Sequence, residues 1–189
     1  EHVFRVIDAM PRETHPMTLL SQAILALQTE SIFAKRYEEG ISKPAFWGYY
    51  LEDSLNLTAK LPVLAAYIYN RKYRHGRYIP PHPDLDWSAN FAYMIERSDD
   101  PIFVELMRLY FVLHSDHEGG NVTAYSANVV SSSLADIYFT ASAGINGLAG
   151  PLHGLANQEC TRWLLKVLHH FGGLPSEEQL EDYVREQLD

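Results

Sequence analysis

A single cysteine, Cys160, stands in the chain, so no internal disulfide can brace the fold. A reducing compartment is the expectation. Cys160 itself reads as a small apolar residue buried on a helix, because no set of partners surrounds it that would make a reactive thiol. Basic residues are also scarce. Lys and Arg number 15 against 24 Asp and Glu, for a net charge of -9, whereas phosphate-backbone binding needs a concentrated basic patch. The densest basic segment, NRKYRHGRY from Asn70 to Tyr78, is expected as the solvated end of a helix. No apolar run reaches the roughly 18 residues of a membrane span, and no charged-then-apolar leader opens the chain. Neither a nucleic acid nor a membrane is therefore expected as a partner. Strand signals are missing as well, since apolar and polar residues do not alternate over any useful length. The expected class is all-α.

What is present suits a packed core: 189 residues, 47% hydrophobic and 12% aromatic. After the HPM triplet at His15 to Met17, apolar residues recur every three to four positions through TLLSQAILALQTESIFAKRYEEG, which predicts one amphipathic helix ending near Gly40. A second long pattern begins at Phe46 and contains Pro62, where a lost amide donor predicts a kink. IPPHPDLDWS reads as an exposed connector. Trp87 to Glu96 predicts a short helix capped by Asp86 or Ser88, and Pro101 opens a longer one. The segment NVTAYSANVVSSSLADIYFTASAGINGLAG is nearly uncharged and built of small residues, predicting a helix or helix pair buried on most sides, with close backbone approach. ANQECTRWLLKVLHHFG predicts an amphipathic helix closed by Gly172-Gly173, and Ser176 with Gln179 forms a capping box for a last, charged helix.

Two stretches concentrate chemistry. HSDHEGGN, His114 to Asn121, puts two histidines and two carboxylates beside a glycine pair. Histidine and carboxylate at this spacing could ligate a metal, though a third and fourth ligand are wanted and the GGN adds none. The histidines could instead be helix C-terminal residues held by the macrodipole and stopped by Gly119-Gly120, a reading that suits His114 better than His117 or Asn121. A third reading makes the junction a small-anion pocket, with imidazole, amide and glycine N–H groups turned toward carboxylate oxygens. GLAGPLHGLANQE, from Gly147 to Glu159, holds His153 on a bend between two helices, with Leu152 and Leu155 expected to bury its flanks. Such an imidazole could be a packed core histidine. It could equally be a neutral hydrogen-bond donor to a developing enolate oxygen.

Taken together, HSDHEGGN, the small-residue segment and GLAGPLHGLANQE resemble the citrate synthase family in its eukaryotic-type branch. HPM, TESIFAKRYEEGISK, YYLEDSLNLTAKLPVLAAYIY, LDWSANF and ELMRLY follow the same family in order, so the resemblance covers nearly the whole chain. It implies the multi-helix large domain of that fold over residues 1–189, with the small domain absent from the chain. It also implies condensation of oxaloacetate with acetyl-CoA to citrate and CoA, with no metal and no permanently bound cofactor. A 2-methylcitrate synthase using propionyl-CoA shares both motifs, and a non-catalytic relative with a structural role is the remaining alternative.

By motif position, the resemblance makes His153 the catalytic histidine that hydrogen-bonds the acetyl carbonyl. His117 becomes an oxaloacetate-binding residue, with Asn121 beside it. Thr123 falls where the family usually carries serine and keeps a hydroxyl to orient the imidazole, while His114 supports the pocket. Lys43 is read either as solvated or as near a cofactor phosphate. The family's base aspartate, its carboxylate-binding arginines and a glycine-tyrosine-glycine-histidine loop belong to later segments, so the chain is expected to be a large-domain core that lacks them. A homodimer is implied, and for a eukaryotic source the mitochondrial matrix; otherwise the cytoplasm.

Overall fold

The structure is a computed structural model and describes residues 1–115 and 119–188. Among these, every regular element is helical, in ten α-helices and two short 3-10 turns, as the absence of alternation requires. No helix among them is long and apolar enough to cross a membrane. The chain divides into two compact units, Glu1–Gly147 and Leu148–Asp189.

The first unit is organised around its longest helix. Helices α1 (His2–Ala9) and α2 (Pro16–Ala26) pack together, and α2 and α3 (Ile32–Glu38) both pack on α4 (Phe46–Tyr73). The main core joins Val3 and Ile7 of α1, Leu19, Ala23 and Ile24 of α2, Leu57, Leu64 and Ile68 of α4, and Tyr138 of α8 (Ile137–Leu148). Leu57, Leu64 and Ile68 stand seven and four residues apart, which places them on one face. Each such fully buried aliphatic side chain contributes about 1.5–3 kcal/mol. Ala66 lies on the other side of α4, where it meets Met94 and Ile95 at the end of α5 (Trp87–Met94) in a second cluster. Helix α6 (Pro101–Leu113) packs on α5. The cap expected at Asp86 is present, and Asp100 supplies a second that the sequence reading did not name. Asp86 accepts from the Ala89 amide at 2.9 Å, and Asp100 from that of Phe103 at 3.1 Å, with Pro101 at the first turn. The proline-rich connector is largely exposed.

The helix predicted to run unbroken to Gly40 is divided. α2 stops at Ala26, Gln28–Glu30 form a 3-10 turn, and α3 restarts at Ile32. The cause is a carboxylate more than 20 residues downstream. Asp53, 0% exposed on α4, accepts from Ser31 Oγ at 2.8 Å and from the amides of Ile32 and Phe33 at 2.9 and 3.0 Å. Ser31 Oγ in turn accepts from Ala34 N at 3.1 Å. The first amides of α3 are therefore satisfied by a side chain from another helix, and the preceding turn does not have to supply carbonyls to them.

Nor is the basic segment wholly solvated. Asn70 is buried and donates through Nδ2 to Met94 O at 2.8 Å, while Arg71 bonds Met10 O and approaches Asp8 at 3.6 Å. Both residues lie inside α4, on turns that touch α1 and α5, so only the segment's later part is exposed.

The small-residue segment forms a helix pair, α7 (Val122–Ser131) and α8, with close approach between them. A Cβ built on Gly144 would lie 3.3 Å from Thr123 Cγ2. One on Gly147 would lie 3.1 Å from both Ser126 Oγ and Val122 Cγ1. Burial on most sides holds for α8 alone, which buries Tyr138, Thr140, Ser142 and Gly144. Helix α7 buries nothing fully, and Val122, Tyr125 and Val129 are more than half exposed. Asp136 starts α8 by accepting from the amides of Tyr138 and Phe139, and its other oxygen takes Gln28 Nε2 at 2.8 Å. Ser21 and Ser142 join α2 to α8 through a buried hydroxyl pair at 2.8 Å. Burial pushes the Tyr138 phenol up to about 12, with Asp53, Glu30 and Asp136 adding to the rise, so this core residue stays neutral at ordinary pH.

The second unit contains α9 (Ala156–Phe171) and α10 (Glu177–Leu188). Gly172 closes α9 in the left-handed region at φ 69°, where a side chain would be strained. Ser176 Oγ accepts from Gln179 N at 3.2 Å and Ser176 N donates to Gln179 Oε1 at 2.9 Å, completing the reciprocal cap. Tyr183 of α10 packs against Trp163, His170 and Phe171. Val167 is the one fully buried residue of α9, and Cys160 is exposed, contrary to its expected burial. A single partner helix of this length covers too little of α9 to enclose it.

Candidate active site

The expected site residues that the structure describes fall on three helix junctions. At the first, α6 ends with Leu113, earlier than the glycine pair, and His114 is its C-cap. The imidazole stacks on Tyr110 with centroids 3.9 Å apart, and Nδ1 lies 2.8 Å from Tyr110 O. That carbonyl can only accept, so Nδ1 is the donor in this bond. The ring is exposed, and its partners are those of a helix terminus.

His117, with Asp116 and Glu118, lies outside the described residues. Among the described residues, no group of three His, Cys, Asp or Glu side chains comes together that could hold a metal ion.

The second junction opens α7. Asn121 is its N-cap, accepting at Oδ1 from Ala124 N at 2.9 Å while its own carbonyl accepts from Tyr125 N at 2.9 Å. The amide oxygen is thus engaged in starting the helix, which fixes the direction of the Nδ2 donors. Thr123 sits two residues later on the same turn, half-buried, with its methyl toward Gly144. The extra methyl relative to serine is therefore accommodated by the missing side chain at position 144.

The third junction, in the second unit, holds His153. The backbone from Gly150 to Gln158 is a succession of tight turns: His153 N donates to Gly150 O at 3.0 Å, Ala156 N to His153 O at 3.1 Å, and Asn157 N to Gly154 O at 3.3 Å. The bend delivers the chain into α9, with His153 half-buried just ahead of the helix N-terminus. Gly154 is required by space. A Cβ there would lie 2.4 Å from Leu148 Cδ1 and 2.6 Å from Leu148 O. Leu152 does not bury the flank as expected, being 99% exposed, because the turn at Pro151 projects it outward; Leu155 is half-buried. Lys43 begins a 3-10 turn (Lys43–Ala45) and is exposed.

The structure thus brings Asn121 and Thr123 together on one turn and places His153 on a separate, sterically fixed bend. Sequence reasoning treated α9 only as an amphipathic helix and missed a run of basic side chains along one of its faces, although their spacing was readable.

An all-helical chain with a histidine on a glycine-packed bend, matched over residues 1–189 by the family described as citrate synthase, C-terminal domain, belongs to the citrate synthase family. It is 50% identical over 188 residues to the mitochondrial citrate synthase of Daucus carota and 51% identical over 189 residues to the probable mitochondrial citrate synthase of Glossina morsitans morsitans. Each match covers 100% of this chain and 40% of the relative. Citrate synthase from Pyrobaculum aerophilum, a crystal structure, superposes with a TM-score of 0.77 at 33% identity, covering 88% of this chain and 41% of that one. The chain therefore spans about two fifths of the length of these relatives.

Proposed function

We propose that this chain works within a citrate synthase that condenses acetyl-CoA with oxaloacetate and water, giving citrate and CoA, in the mitochondrial matrix. The observation that carries the reading is the His153 bend, where an imidazole is held by backbone turns and by a glycine with no room for a side chain. Such an imidazole loses little freedom when substrate arrives, and its N–H can meet charge developing on the thioester oxygen as a methyl proton leaves. The amide of Asn121, oriented by its capping bond, and His117 address the carboxylates of oxaloacetate, while His114 and Thr123 support them. The large-domain assignment over residues 1–189, with the methyl-proton base and the carboxylate-binding arginines supplied from elsewhere in the protein, is part of the same proposal.

The test is release of free thiol by the full product of the gene. Thiol appears only when oxaloacetate and acetyl-CoA are both present, and propionyl-CoA is slower by about 10-fold or more, the usual worth of one methylene in a fitted pocket. Faster turnover of propionyl-CoA would make the enzyme a 2-methylcitrate synthase, and no thiol release with either would leave a structural protein.

A homodimer belongs to the proposal too. α6 leaves Ile102, Leu106, Leu109, Val112 and Leu113 at least half exposed, and α7 does the same with Val122, Tyr125 and Val129. Apolar faces of this extent mark association surfaces. Sedimentation of the full protein at micromolar concentration should give twice the chain mass; a sharp single-chain boundary would remove this part.

A further inference from the structure

The second unit carries a groove that none of the residues above explains. Arg162, Lys166, His169 and His170 recur at i, i+4, i+7 and i+8 and so share one face of α9. With Leu165 and with Tyr183 of α10 they line a cavity of about 530 Å³, within the range of small-ligand sites. None of the six lining residues is acidic, in a chain of net charge -9. This is the more notable because α10, which supplies the opposite wall, carries Glu177, Glu178, Glu181, Asp182 and Glu186. Glu181 is engaged with Arg185 of its own helix at 2.6 Å.

The cations are differently held. Arg162 is steadied by Glu159 through Nη1 at 2.6 Å, an exposed pair on its own helix. Lys166 forms no ion pair among the described residues. The ring of Tyr183 is fixed by His170 at 5.0 Å, Phe171 at 5.7 Å and Trp163 at 6.4 Å, so the wall facing the cations is rigid. Like charges one turn apart on a helix repel, and Glu159 offsets Arg162 alone, leaving Lys166 without a counter-charge among the groove-lining residues.

We propose that this groove binds a multivalent phosphate carried by a small molecule. A guanidinium offers paired N–H donors to phosphate oxygens, an ammonium adds a compact charge, and imidazole N–H groups extend the donor row by another turn. Cationic positions one turn apart are separated by about 5–6 Å, a gap that a di- or triphosphate spans and a single carboxylate does not.

Inorganic tripolyphosphate, titrated calorimetrically into the full-length protein at low salt, should show a saturable site that depends on this groove. Lys166→Glu should weaken binding by at least about 10-fold, whereas Lys35→Glu, an equal charge change on the exposed end of α3, should leave affinity within about twofold. Raising salt from about 0.05 M to about 0.5 M should also weaken it by about 10-fold or more, since the groove is open to solvent. Should Lys166→Glu disturb helix content by circular dichroism, the milder double variant Arg162→Gln, Lys166→Gln replaces it and should show the same loss. Absence of saturable heat, equal weakening by Lys35→Glu, or unchanged affinity in the groove variants would each overturn the proposal. The thiol-release assay is independent of this result, so the two readings can fail separately.

Discussion

Replacing Asp53 with alanine lowers the unfolding free energy of the first unit by about 4 kcal/mol. Three donors, the buried Ser31 Oγ and Phe33 amide and the partly buried Ile32 amide, lose their acceptor at once. Each bond to a charged acceptor is worth about 1.5–3 kcal/mol, and donors left stranded out of water add to the cost, though the three losses overlap and do not sum in full. Against a typical total of about 5–15 kcal/mol, that is a large fraction. Asp53→Asn keeps one oxygen and should lose about half as much. Ser31→Ala removes only the cap and should cost about 1 kcal/mol. Urea unfolding gives the magnitudes. Hydrogen exchange gives the location, because the amides of Ile32 and Phe33 should open before the rest of the unit. A shift under about 1 kcal/mol in Asp53→Ala would mean that the helix break has another cause.

His153→Ala in the full-length protein should reduce kcat for thiol release by about 10³-fold, equivalent to about 4 kcal/mol of transition-state stabilisation. The KM for oxaloacetate should change by no more than about threefold, because the proposed contact forms on the thioester oxygen as charge develops there and not on the ketoacid. His153→Gln, which retains an N–H donor in a different place, should fall between the alanine variant and the parent. Gly154 makes the result interpretable, since the bend is fixed by a contact with Leu148 that does not involve the imidazole, so removing the ring leaves the backbone path unchanged. A loss of less than about 10-fold would remove His153 from the chemical step.

Much of this architecture was legible in residue order. The all-helical class, the cap at Asp86, the proline start of α6, the Ser176–Gln179 box and the glycine stop of α9 all depend on contacts within a few residues, which periodicity and cap chemistry read directly. The break between α2 and α3 was not legible. Its cause is Asp53, separated from Ser31 by 22 positions, and nothing local to LQTESIF announces it. Burial was misjudged at Cys160 and Leu152 for a related reason: a helical pattern says which residues share a face but not whether another element lies over it. At the site, the capping role of Asn121 and the steric need for Gly154 were not read, the second because it depends on a contact with Leu148, and the basic row on α9 went unread because its members were absorbed into a single amphipathic pattern.

The α7–α8 seam constrains how this sequence can drift. Positions 144 and 147 already carry the smallest side chain available, and a Cβ added at either would stand 3.1–3.3 Å from side chains across the seam, tighter than ordinary contact. Mutation there has one direction open to it, toward bulk, and each such step must be answered by shrinkage at Val122, Thr123 or Ser126 before it can be tolerated. Thr123 shows what such an exchange looks like when complete, a methyl gained on one helix and housed in a hollow on the other. The two helices should therefore change in matched pairs over evolutionary time, and substitutions borrowed singly from a relative at these positions should transplant poorly.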